Sequence, residues 1–484
     1  MGKMLKEILK GLDYELLQGD KNIMVNSICS DSRKVKPGDI FVAVNGTQTD
    51  GHKYIPLSLK NGASVIIAEK PGINCGNATY IRMDETGSKL GIIASNFYGN
   101  PSSKLKIVGV TGTNGKTTIV TLLYSLFKEL GYKVGLLSTI KDMIDDDIIP
   151  TEHTTPDPIT INYLMSKMVD KGCEYCFMEA SSHAIDQDRI SGINFVGGIF
   201  TNITHDHLDY HKTFAAYIKA KKKFFDHLPS TSFALTNSDE KNGLIMLQNT
   251  AAKKRTYALK TLADFKCKIL EKHMDGMNLL INNKEVYTHL SGTFNAYNIM
   301  AVYGAAILLG KTDDEILPSL SNLLPVTGRF EIIRSPEGKY AIVDYAHTPD
   351  ALKNILSGIQ DIRSLNMKII TVVGAGGDRD RTKRPEMAHE AVISSDKLIL
   401  TSDNPRSEVP EEIINEMKTG IKPEEENKVL SVTDRKEAIK TACMLAAPGD
   451  VVLVAGKGHE DYQEIKGVKH HFNDKEVISE IFKL

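Results

Sequence analysis

Apolar segments of strand length alternate with amphipathic segments over most of the 484-residue chain, and this alternation constrains the fold more than any other feature. From residue 101 to 328, "KIVGV", "KVGLLST", "YCFMEAS" and "FVGGIFTNI" are separated by helix-like sequence. From residue 329 onward the pattern returns with "YAIVDYA", "KIITVVGAGG", "KLILTSD" and "DVVLVAGKG". Strands that alternate with helices predict parallel sheets covered by helices on both faces. We therefore expect an α/β fold with two such sheets.

The chain is too long for one ordinary core, since a domain takes roughly 150 residues. Its first hundred residues differ in texture, with short strands and turns such as "DIFVAVNG" and "ASVIIAE". The opening segment "MGKMLKEILKGLDYELL" predicts an amphipathic helix, and its charges are unlike those of a secretory signal. We expect three domains, over residues 1–100, 101–328 and 329–484.

Composition excludes several classes of function. A formal net charge of −2 gives no positive field that would draw the chain to nucleic acid. No segment approaches the ~18 uninterrupted apolar residues of a membrane span. The six cysteines are scattered, and "CEYC" lacks the second pair that a zinc site usually needs. These features predict core thiols and a cytoplasmic protein.

A phosphate-binding loop is predicted where the strand "KIVGV" runs through "TGTNGKTT" into the helix "IVTLLYSLFKELG". Small residues let backbone N–H groups surround phosphate oxygens, and the helix N-terminus adds its positive dipole. Lys116 would reach the outer phosphates, and the Thr117 hydroxyl would face Mg²⁺. A strict Walker A motif has glycine six positions before the lysine, where this chain has Val110.

Two classes of chemistry could use such a loop: a nucleotide switch, or a ligase that activates a carboxylate. A GTPase-type switch should carry an NKxD motif, and the chain has none. "MEASSHAIDQDR" places Glu179 at one strand end, and "TNITHDHLDYH" is expected to place His207 at the next. These groups suggest a second metal beside the one on Thr117. Taken alone, "HDHLDYH" is equally compatible with zinc or with a hydrogen-bonded loop.

The stretch "TSDNPRSE" at 401–408 predicts a stiff loop after a strand. Pro405 fixes the backbone and favours an extended Asn404, so that Asn404 and Arg406 point outward. The simplest interpretation is a solvated surface turn. However, parallel sheets bind ligands at the carboxyl ends of their strands, which puts this loop on a ligand-facing rim.

Together, "GVTGTNGKTT", "MEASSHAIDQDR", "TNITHDHLDYH", "GTFNAYN", "GRFE" and "DYAHTPDAL" resemble the Mur ligase family, the ATP-dependent amide-bond formers of peptidoglycan precursor synthesis. "SDSRKVKPGDIFVAVNGTQTDGHKYI" extends the resemblance to the N-terminus. It implies an N-terminal uridine-binding α/β domain, a central P-loop parallel-sheet ATPase domain and a C-terminal Rossmann-like domain.

The resemblance also implies roles for individual residues. Catalysis and metal binding would involve Lys116, Thr117, Glu179 and His207. ATP would be bound by Gly112, Thr113, Asn114, Gly115, Lys116, Thr117, Thr118, Asn295, Arg329 and Asp344. The uridine end of the substrate would lie near Ser32 and "NGTQT". The nucleotide-linked dipeptide would contact Thr154, Thr155, Ser181, Gln187 and Arg189.

Lys221 in "AYIKAKKKFF" aligns with a lysine that these enzymes carbamylate with CO₂. The carbamate would supply oxygens to the second Mg²⁺. We expect the neighbouring cations Lys219, Lys222 and Lys223 to lower the pKa of Lys221 and so favour the reaction. A solvated basic helix face is the alternative.

Within the family, the chain is most similar to ligases that join meso-2,6-diaminopimelate to UDP-N-acetylmuramoyl-L-alanyl-D-glutamate. Arg406 would then pair with the distal carboxylate of diaminopimelate and repel the distal ammonium of lysine. The remaining contacts to the amino acid would come from Arg379, Asp403, Asn404, Pro405, Gly456 and Glu460.

The implied reaction passes through an acyl phosphate, with ATP and two Mg²⁺ ions, in a monomer. Alternatives are a sibling enzyme that adds L-lysine or another diamino acid, and folylpolyglutamate synthetase. The "HTTP" string and the N-terminal domain argue against the latter.

Overall fold

The computed structural model describes residues 2–46, 49–151, 153–364 and 366–484. Three main sheets follow one another along the chain, and together they form the mixed α/β architecture expected from the sequence. No helix within these ranges is both long enough and apolar enough to cross a membrane.

The N-terminal sheet has five strands in the order β2-β7-β6-β5-β4, and β4 to β7 are parallel. The strands of this domain are β1 (Lys3–Met4), β2 (Glu15–Gln18), β3 (Met24–Val25), β4 (Ile28–Cys29), β5 (Ile40–Val42), β6 (Val65–Ala68) and β7 (Thr79–Arg82), and its helices are α1 (Leu5–Ile8), α2 (Ile55–Lys60) and α3 (Thr86–Phe97). The predicted amphipathic N-terminal helix is wrong in extent. Only four residues are helical, because β1 precedes them and "ELLQ" pairs with β7 instead.

The central sheet has eleven strands in the order β11-β10-β9-β12-β8-β13-β14-β15-β16-β17-β18, with a parallel centre from β9 to β16. These strands are β8 (Lys106–Thr111), β9 (Val134–Leu137), β10 (Asp142–Ile144), β11 (Asp147–Ile149), β12 (Tyr175–Glu179), β13 (Phe195–Phe200), β14 (Phe233–Asn237), β15 (Lys253–Ala258), β16 (Phe265–His273), β17 (Gly276–Ile281) and β18 (Lys284–Thr288). The helices are α4 (Lys116–Glu129), α5 (Pro158–Lys171), α6 (Ser182–Asp186), α7 (Leu208–His211), α8 (Phe214–Asp226), α9 (Gly243–Met246), α10 (Thr293–Leu308) and α11 (Asp313–Asn322).

The C-terminal sheet has six strands in the order β19-β20-β24-β21-β22-β23, parallel except for the edge strand β19. The strands of this domain are β19 (Glu331–Arg334), β20 (Tyr340–Asp344), β21 (Ile369–Val373), β22 (Lys397–Leu400), β23 (Val429–Ser431), β24 (Val451–Ala455) and the hairpin β25 (Tyr462–Ile465) and β26 (Val468–His471). The helices are α12 (Pro349–Ile362), α13 (Lys383–Ile393), α14 (Pro410–Lys418), α15 (Arg435–Leu445) and α16 (Asp474–Phe482).

The parallel centre of each of the two large sheets is buried on both faces, which explains why those strands read as continuous apolar runs. In β8, Val108 and Val110 pack with α4 and α10, whereas Ile107 packs with α5 and α8 on the opposite face. The C-terminal sheet is likewise covered by α12 to α14 on one face and by α15 and α16 on the other. The carboxyl ends of the parallel strands are therefore the open edges at which polar loops can collect.

The domain interfaces differ in character. Between the N-terminal and central domains, a Cβ on Gly91 would lie 2.1 Å from the Ser191 carbonyl oxygen, so the two backbones are in direct contact. The Ser191 hydroxyl also donates to the Ser88 carbonyl over 2.6 Å. Between the central and C-terminal domains the contacts include polar side-chain pairs, such as the Asn114 amide that donates to Asp350 over 3.2 Å. The first interface thus includes a direct backbone contact, and the second includes polar side-chain pairs.

Candidate active site

A cavity of about 970 Å³ lies between the central and C-terminal sheets at the carboxyl ends of their strands. It brings together many of the residues singled out in the sequence: Thr113, Asn114, Gly115, Lys116, Thr117, Thr118, Thr154, Thr155, Glu179, Ser181, Arg189, His207, Asn295, Arg329, Asp344 and Arg379. Gly112 and Lys221 lie beneath the phosphate loop, where the Lys221 Nζ donates to the Gly112 carbonyl over 2.7 Å. The predicted strand-end clustering is thus what the fold produces.

The phosphate loop turns between β8 and α4 at two glycines whose conformation and close surroundings disfavour a larger residue. Gly112 has φ 153°, and a Cβ there would lie 1.8 Å from the Thr201 hydroxyl. Gly115 has φ 86°, in the left-handed region that favours glycine. The Asn114 N–H donates to the Asn202 side chain over 2.9 Å, which ties the loop to the segment after β13. Val110, at the position of the missing Walker glycine, is a buried strand residue and takes no part in the turn.

Lys116 stands at the first position of α4, and its ammonium donates to the Gly112 and Thr113 carbonyls over 2.9 and 2.8 Å. Burial lowers the pKa of this lysine, while the charges of Glu179 and Asp206 oppose that shift. From the C-terminal domain, the Arg329 guanidinium donates to the Thr117 hydroxyl over 3.3 Å. Two cations from different domains therefore converge on the start of α4.

Glu179 ends β12 as expected, and its side chain is fully buried. One carboxylate oxygen accepts a hydrogen bond from the Thr139 N–H over 2.7 Å. The other oxygen, Oε2, has no hydrogen-bond partner among the described residues. A buried carboxylate oxygen without a donor is costly unless a cation or ligand satisfies it.

The sequence suggested that His207 stands at the end of a strand, and this was wrong. It lies seven residues beyond β13, just before the short helix α7, with a left-handed φ of 54°. Burial lowers its pKa to about 3, with Asp206 opposing the shift and Lys116 adding to it. The imidazole is therefore neutral at physiological pH and keeps a ring nitrogen free of a proton, as a metal ligand requires.

These donors suit Mg²⁺ better than zinc. No group of three or more His, Cys, Asp or Glu side chains in the described parts of the chain is arranged to hold a metal. A zinc site in "HDHLDYH" would need such a set. Mg²⁺ is usually bound by one or two protein groups together with water and substrate phosphates, which matches the orphaned Glu179 oxygen and the Thr117 hydroxyl.

Lys221 is the buried lysine of its helix, only 1% exposed, whereas Lys219 is exposed. Its Nζ also lies 4.7 Å from the centre of the Tyr217 ring, and the Tyr217 hydroxyl meets the Thr113 hydroxyl at 3.1 Å. Burial lowers the pKa of Lys221 well below its usual value, and Lys116 adds to the effect. The amine is therefore poised to lose its proton beside the phosphate loop.

The expected source of that pKa shift was wrong. The adjacent cations Lys222 and Lys223 are paired with Asp226 and Asp188 over 2.5 and 2.6 Å. Burial and the more distant Lys116 lower the pKa of Lys221 instead. Sequence neighbours on a helix point in different directions, so adjacency along the chain did not report proximity in space.

The "HTTP" loop and the segment after β12 form one hydrogen-bonded unit beside Glu179. The Thr155 hydroxyl donates to the Glu179 carbonyl over 2.8 Å and accepts from the Ser181 N–H over 3.2 Å. Arg189 donates to the Thr155 carbonyl over 3.1 Å and to the Gln187 side chain over 2.7 Å. Thr154 and Arg189 line the cavity, while Gln187 stands behind Arg189 as its acceptor.

Asn295 and Asp344 line the other side of the cavity, and both are held by neighbouring groups. The Asn295 amide donates to the Ser291 carbonyl over 2.8 Å. Each Asp344 oxygen accepts a backbone N–H, from Phe330 and Ala346, over 2.7 Å. Burial raises the pKa of Asp344, and the Arg329 charge opposes the shift.

Ser32 lies in the N-terminal domain, 5% exposed, away from the central cavity. Its carbonyl accepts from the Asn61 amide over 2.9 Å. In the neighbouring "NGTQT" string, Thr47 and Gln48 lie outside the described residues. The uridine contacts expected there stay a prediction.

The loop at 401–408 does not present Asn404 outward. Asn404 is 2% exposed, and its amide donates to Glu460 over 2.8 Å while its oxygen accepts from Lys457 and from the Glu464 N–H over 3.2 and 2.9 Å. The proline does stiffen this loop, but the hairpin β25–β26 covers it, and no local signal in "TSDNPRSE" reveals that cover. Asn404 therefore joins the "DNPR" loop to the "GKGHE" loop.

Arg406 has a left-handed φ of 51°, and its side chain is 22% exposed. Its guanidinium donates to the Gly377 carbonyl over 2.7 Å, which brings the "DNPR" and "GGDRD" loops together. Glu464 lies 3.5 Å from Nε and offsets part of the positive charge, so repulsion of a second cation here is weaker than the sequence suggested. Asp403 meets Gly456, where a Cβ would lie 2.6 Å from Oδ2.

The "DNPR", "GGDRD" and "GKGHE" loops, which were expected to bind the amino acid and are called the amino-acid loops, do not all open into the cavity. Arg379 lines the cavity. The other residues expected to contact the amino acid do not line it, and they cluster behind the "GGDRD" loop that carries Arg379: Asp403, Asn404, Pro405, Arg406, Gly456 and Glu460. The structure also brings in polar groups that the sequence did not single out. Asp206 and Lys383 pair across the domains, and the fully buried Arg435 pairs with Asp474 beneath the "DNPR" loop. Of these four residues, Asp206 alone had a signal in the sequence, because it lies in the "HDH" string.

Comparison with known families covers most of the chain. Residues 24–98 match the Mur ligase family catalytic domain, residues 110–306 the Mur ligase middle domain, and residues 328–458 the Mur ligase glutamate ligase domain. The chain belongs to the Mur ligase family.

Named relatives agree with this assignment over their full length. The chain is 58% identical to UDP-N-acetylmuramoyl-L-alanyl-D-glutamate–2,6-diaminopimelate ligase of Bacteroides fragilis, with 99% of each chain covered. It is 59% identical to the protein of the same name from Phocaeicola vulgatus, again with 99% of each chain covered. A solved structure of a ligase with that name superposes with a TM-score of 0.70 at 32% identity, covering 100% of this chain and 99% of the other.

Proposed function

We propose that this protein joins meso-2,6-diaminopimelate to UDP-N-acetylmuramoyl-L-alanyl-D-glutamate at the expense of ATP, in cytoplasmic synthesis of peptidoglycan precursors. The observation that carries the proposal is the cavity in which the phosphate loop, Glu179, the "HTTP" loop and Arg329 meet. Full-length similarity to ligases of that name supports the choice of substrates.

In the first step, an oxygen of the D-glutamate γ-carboxylate attacks the γ-phosphorus of ATP. The bond from that phosphorus to the bridging oxygen breaks, and ADP leaves an acyl phosphate behind. The backbone N–H groups of the loop, together with Lys116 and Arg329, stabilise the charge on the transferring group. Thr154, Thr155 and Arg189 stand beside Glu179, where they would hold the dipeptide carboxylate in line with the phosphate.

The residues present suit Mg²⁺ at two positions. Thr117 would hold one ion with the nucleotide phosphates, and Glu179 and His207 would hold the other together with a modified Lys221. When bound, Mg²⁺ neutralises the charge that the phosphate and the attacking carboxylate share. The buried Glu179 oxygen without a donor is the feature that supports this assignment.

Lys221 would act as its carbamate. The neutral amine attacks the carbon of CO₂, a nitrogen–carbon bond forms, and the nitrogen gives up a proton to leave one negative charge. The lowered pKa and the position under Gly112 support this modification. Incubation with ¹³C-labelled bicarbonate should give a carbamate carbon signal that Lys221→Ala removes; a signal that survives the substitution would place the modification elsewhere.

In the second step, a neutral amine of diaminopimelate attacks the acyl carbonyl carbon. Phosphate leaves with the electrons of the carbon–oxygen bond, and the nitrogen gives up a proton to the departing phosphate to leave the amide. The "DNPR", "GGDRD" and "GKGHE" loops would hold the rest of the amino acid. One edge of the Arg406 guanidinium is taken by the Gly377 carbonyl, and the remainder would receive the distal carboxylate. Arg379 would guide the amino acid from the loops into the cavity, and Glu460 would face an ammonium group.

The proposal includes the domain boundaries 1–100, 101–328 and 329–484, each enclosing one main sheet. It also includes a monomeric enzyme in a reducing compartment. The six cysteines are free, and burial raises the pKa of Cys176 and Cys443, which suits inert core thiols.

The testing experiment measures phosphate release and amide formation with the UDP-linked dipeptide, comparing meso-diaminopimelate with L-lysine. We expect turnover with diaminopimelate only. Arg406→Ala should lower kcat/KM for diaminopimelate by about 100-fold, because a charge-assisted bidentate pair is lost. Arg363→Ala, on the same domain but paired with Asp396 outside these loops, is the matched control and should leave kcat/KM unchanged.

Two results would contradict the proposal in different ways. Equal turnover with lysine would keep the ligase reaction but remove the role of Arg406 in selecting the amino acid. No amide with either amino acid would reject the proposed substrates and favour another acid for activation, such as the folate of a folylpolyglutamate synthetase.

A further inference from the structure

Lys383 of the C-terminal domain reaches across the cleft to Asp206 of the central domain. Its ammonium donates to Asp206 Oδ1 over 2.7 Å. The carboxylate is 10% exposed and the lysine side chain 24% exposed. The ion pair is thus largely shielded from water and exists only while the two domains are together.

Asp206 in turn fixes the backbone of His207. The same Oδ1 accepts a hydrogen bond from the His207 N–H over 2.8 Å. The other oxygen lies 3.5 Å from His207 Nε2. His207 has a left-handed φ of 54°, which is unfavourable for a residue with a side chain and must be stabilised by its surroundings. When Lys383 pairs with Asp206, it therefore helps to fix the carboxylate that holds the His207 backbone and orients its imidazole.

The backbone that carries Lys383 is held against the amino-acid loops. The next residue, Arg384, is 1% exposed and donates to both oxygens of Glu408 over 2.8 and 2.9 Å. Glu408 follows Arg406 by two residues. Arg384 also donates to the Gly376 carbonyl over 3.2 Å, on the loop that carries Arg379. The start of α13 is therefore fixed against both loops.

We propose that Lys383 is a positioning residue, which clamps Asp206 when the domains close and so makes the orientation of His207 depend on the amino-acid loops. The proposal rests on the proposed function, since it assigns His207 to the metal and the loops to the amino acid. A chain of contacts runs from the "DNPR" loop through Glu408, Arg384 and Lys383 to Asp206 and His207. Without the clamp, the acyl phosphate would form in a site that is not fully closed to water.

The consequence can be measured as a coupling ratio, which is the phosphate released per amide formed. An acyl phosphate that forms in an incompletely closed site meets water, and its hydrolysis releases phosphate without amide. The wild type should give a ratio near one. Lys383→Met should give a ratio of several, with amide formation slowed by about 10- to 100-fold through misplacement of the reacting groups.

Lys353→Met is the matched control, because Lys353 also faces this side of the cleft but pairs within its own domain with Glu390 at 4.0 Å. It should keep the wild-type ratio. Lys383→Arg retains the charge and should restore most of the coupling. The double variant Lys383→Met with Asp206→Asn should lose little more than Asp206→Asn alone, because the two side chains act as a pair.

A second readout does not depend on turnover. Small-angle scattering with Mg²⁺, a non-hydrolysable ATP analogue and diaminopimelate should show a smaller radius of gyration for the wild type than for Lys383→Met. If Lys383→Met matches the wild type in both coupling ratio and compaction, or if Lys383→Arg is as uncoupled as Lys383→Met, the clamp is wrong. Absence of amide from the wild type itself would instead reject the proposed function.

Discussion

The phosphate end and the amino-acid end of this site, each named for the ligand proposed to bind there, are built in opposite ways. At the phosphate end, groups are buried without full satisfaction: Glu179 Oε2 has no partner among the described residues, and Lys116 meets only backbone carbonyls. At the amino-acid end, Asn404 is engaged at both its oxygen and its nitrogen by protein groups. At the phosphate end, buried polar groups lack partners that a ligand could supply. At the amino-acid end, the hydrogen bonds are already formed without a ligand.

This difference separates stability from activity. Residues of the phosphate end should contribute to turnover while adding little to folding, or even opposing it. Residues beneath the amino-acid loops should contribute to folding, because their hydrogen bonds and charges are already paired. Substitutions at the phosphate end should therefore change the rate of turnover, and substitutions beneath the amino-acid loops should change the free energy of unfolding.

Lys116→Met should give the largest loss of activity. Removing the cation that faces the transferring phosphate should lower the rate of amide formation by at least about 10³-fold. Because its present partners are two carbonyls, the midpoint of thermal unfolding should change little. Stopped assays of amide product measure the rate, and Lys133→Met, an exposed lysine after the same helix, is the control. A retained rate would remove Lys116 from the mechanism.

Arg435→Met should chiefly lower stability. Arg435 and Asp474 are both fully buried and share two hydrogen bonds of 2.8 and 2.7 Å. Leaving Asp474 without its cation should lower the free energy of unfolding by about 3–5 kcal/mol in denaturant titrations. Asp474→Asn in the same chain should recover part of that loss, and Lys436→Met on the exposed face should cost under about 0.5 kcal/mol.

His459 lies between the two ends, with its ring 5.1 Å from that of Tyr345. Burial lowers its pKa to about 3, well below the value of about 6.5 in an unfolded chain. Between these values the unfolded state binds more protons, so stability is lost as pH falls from 6.5 toward 3. His459→Gln should remove about 1 to 2 kcal/mol of the difference in unfolding free energy between pH 7 and pH 5.

The control for that measurement is His470→Gln, in the exposed strand β26. An unchanged pH dependence in His459→Gln would assign the acid sensitivity to other groups.

Glu179→Gln should give the smallest change, and one of unusual sign. The amide keeps an acceptor for the Thr139 N–H and removes a buried charge, so the metal-free protein should gain about 1 kcal/mol of stability. Calorimetry without Mg²⁺ checks this, with Glu174→Gln at an exposed position as the reference. A loss of stability would mean that the charge of Lys116 already compensates Glu179.

The sequence predicted the strands of the two large sheets because burial on both faces makes each strand a continuous apolar run. It did not predict the antiparallel extension β16 to β18, whose exposed strands carry many lysines and glutamates. The four-residue helix α1 was overestimated, because pairing with β7 overrides the local propensity of "ELLQ". Hydrophobic periodicity predicts which residues are buried. It fails to predict secondary structure where pairing with a distant strand determines it.

Site residues were predictable where one strand, loop and helix supply them, as in "TGTNGKTT". Prediction was weaker where separate domains meet. The burial of Asn404 depends on a hairpin some 60 positions away, and the partners of Lys222 and Lys223 are set by helix geometry. Lys383 and Arg435 carried no local signal, because their partners are distant in sequence.

The backbone contact between Gly91 and Ser191 gives the site a fixed length scale. The two backbones touch there with no room for a Cβ, so a larger residue at position 91 would push the two domains apart and lengthen the distance from the N-terminal surface to the phosphate loop. Under the proposed function, a precursor anchored at its uridine end on the N-terminal domain would bring its carboxylate to the phosphate only if its length matches that distance. The spacing of the two domains would then help to select a precursor of the right length.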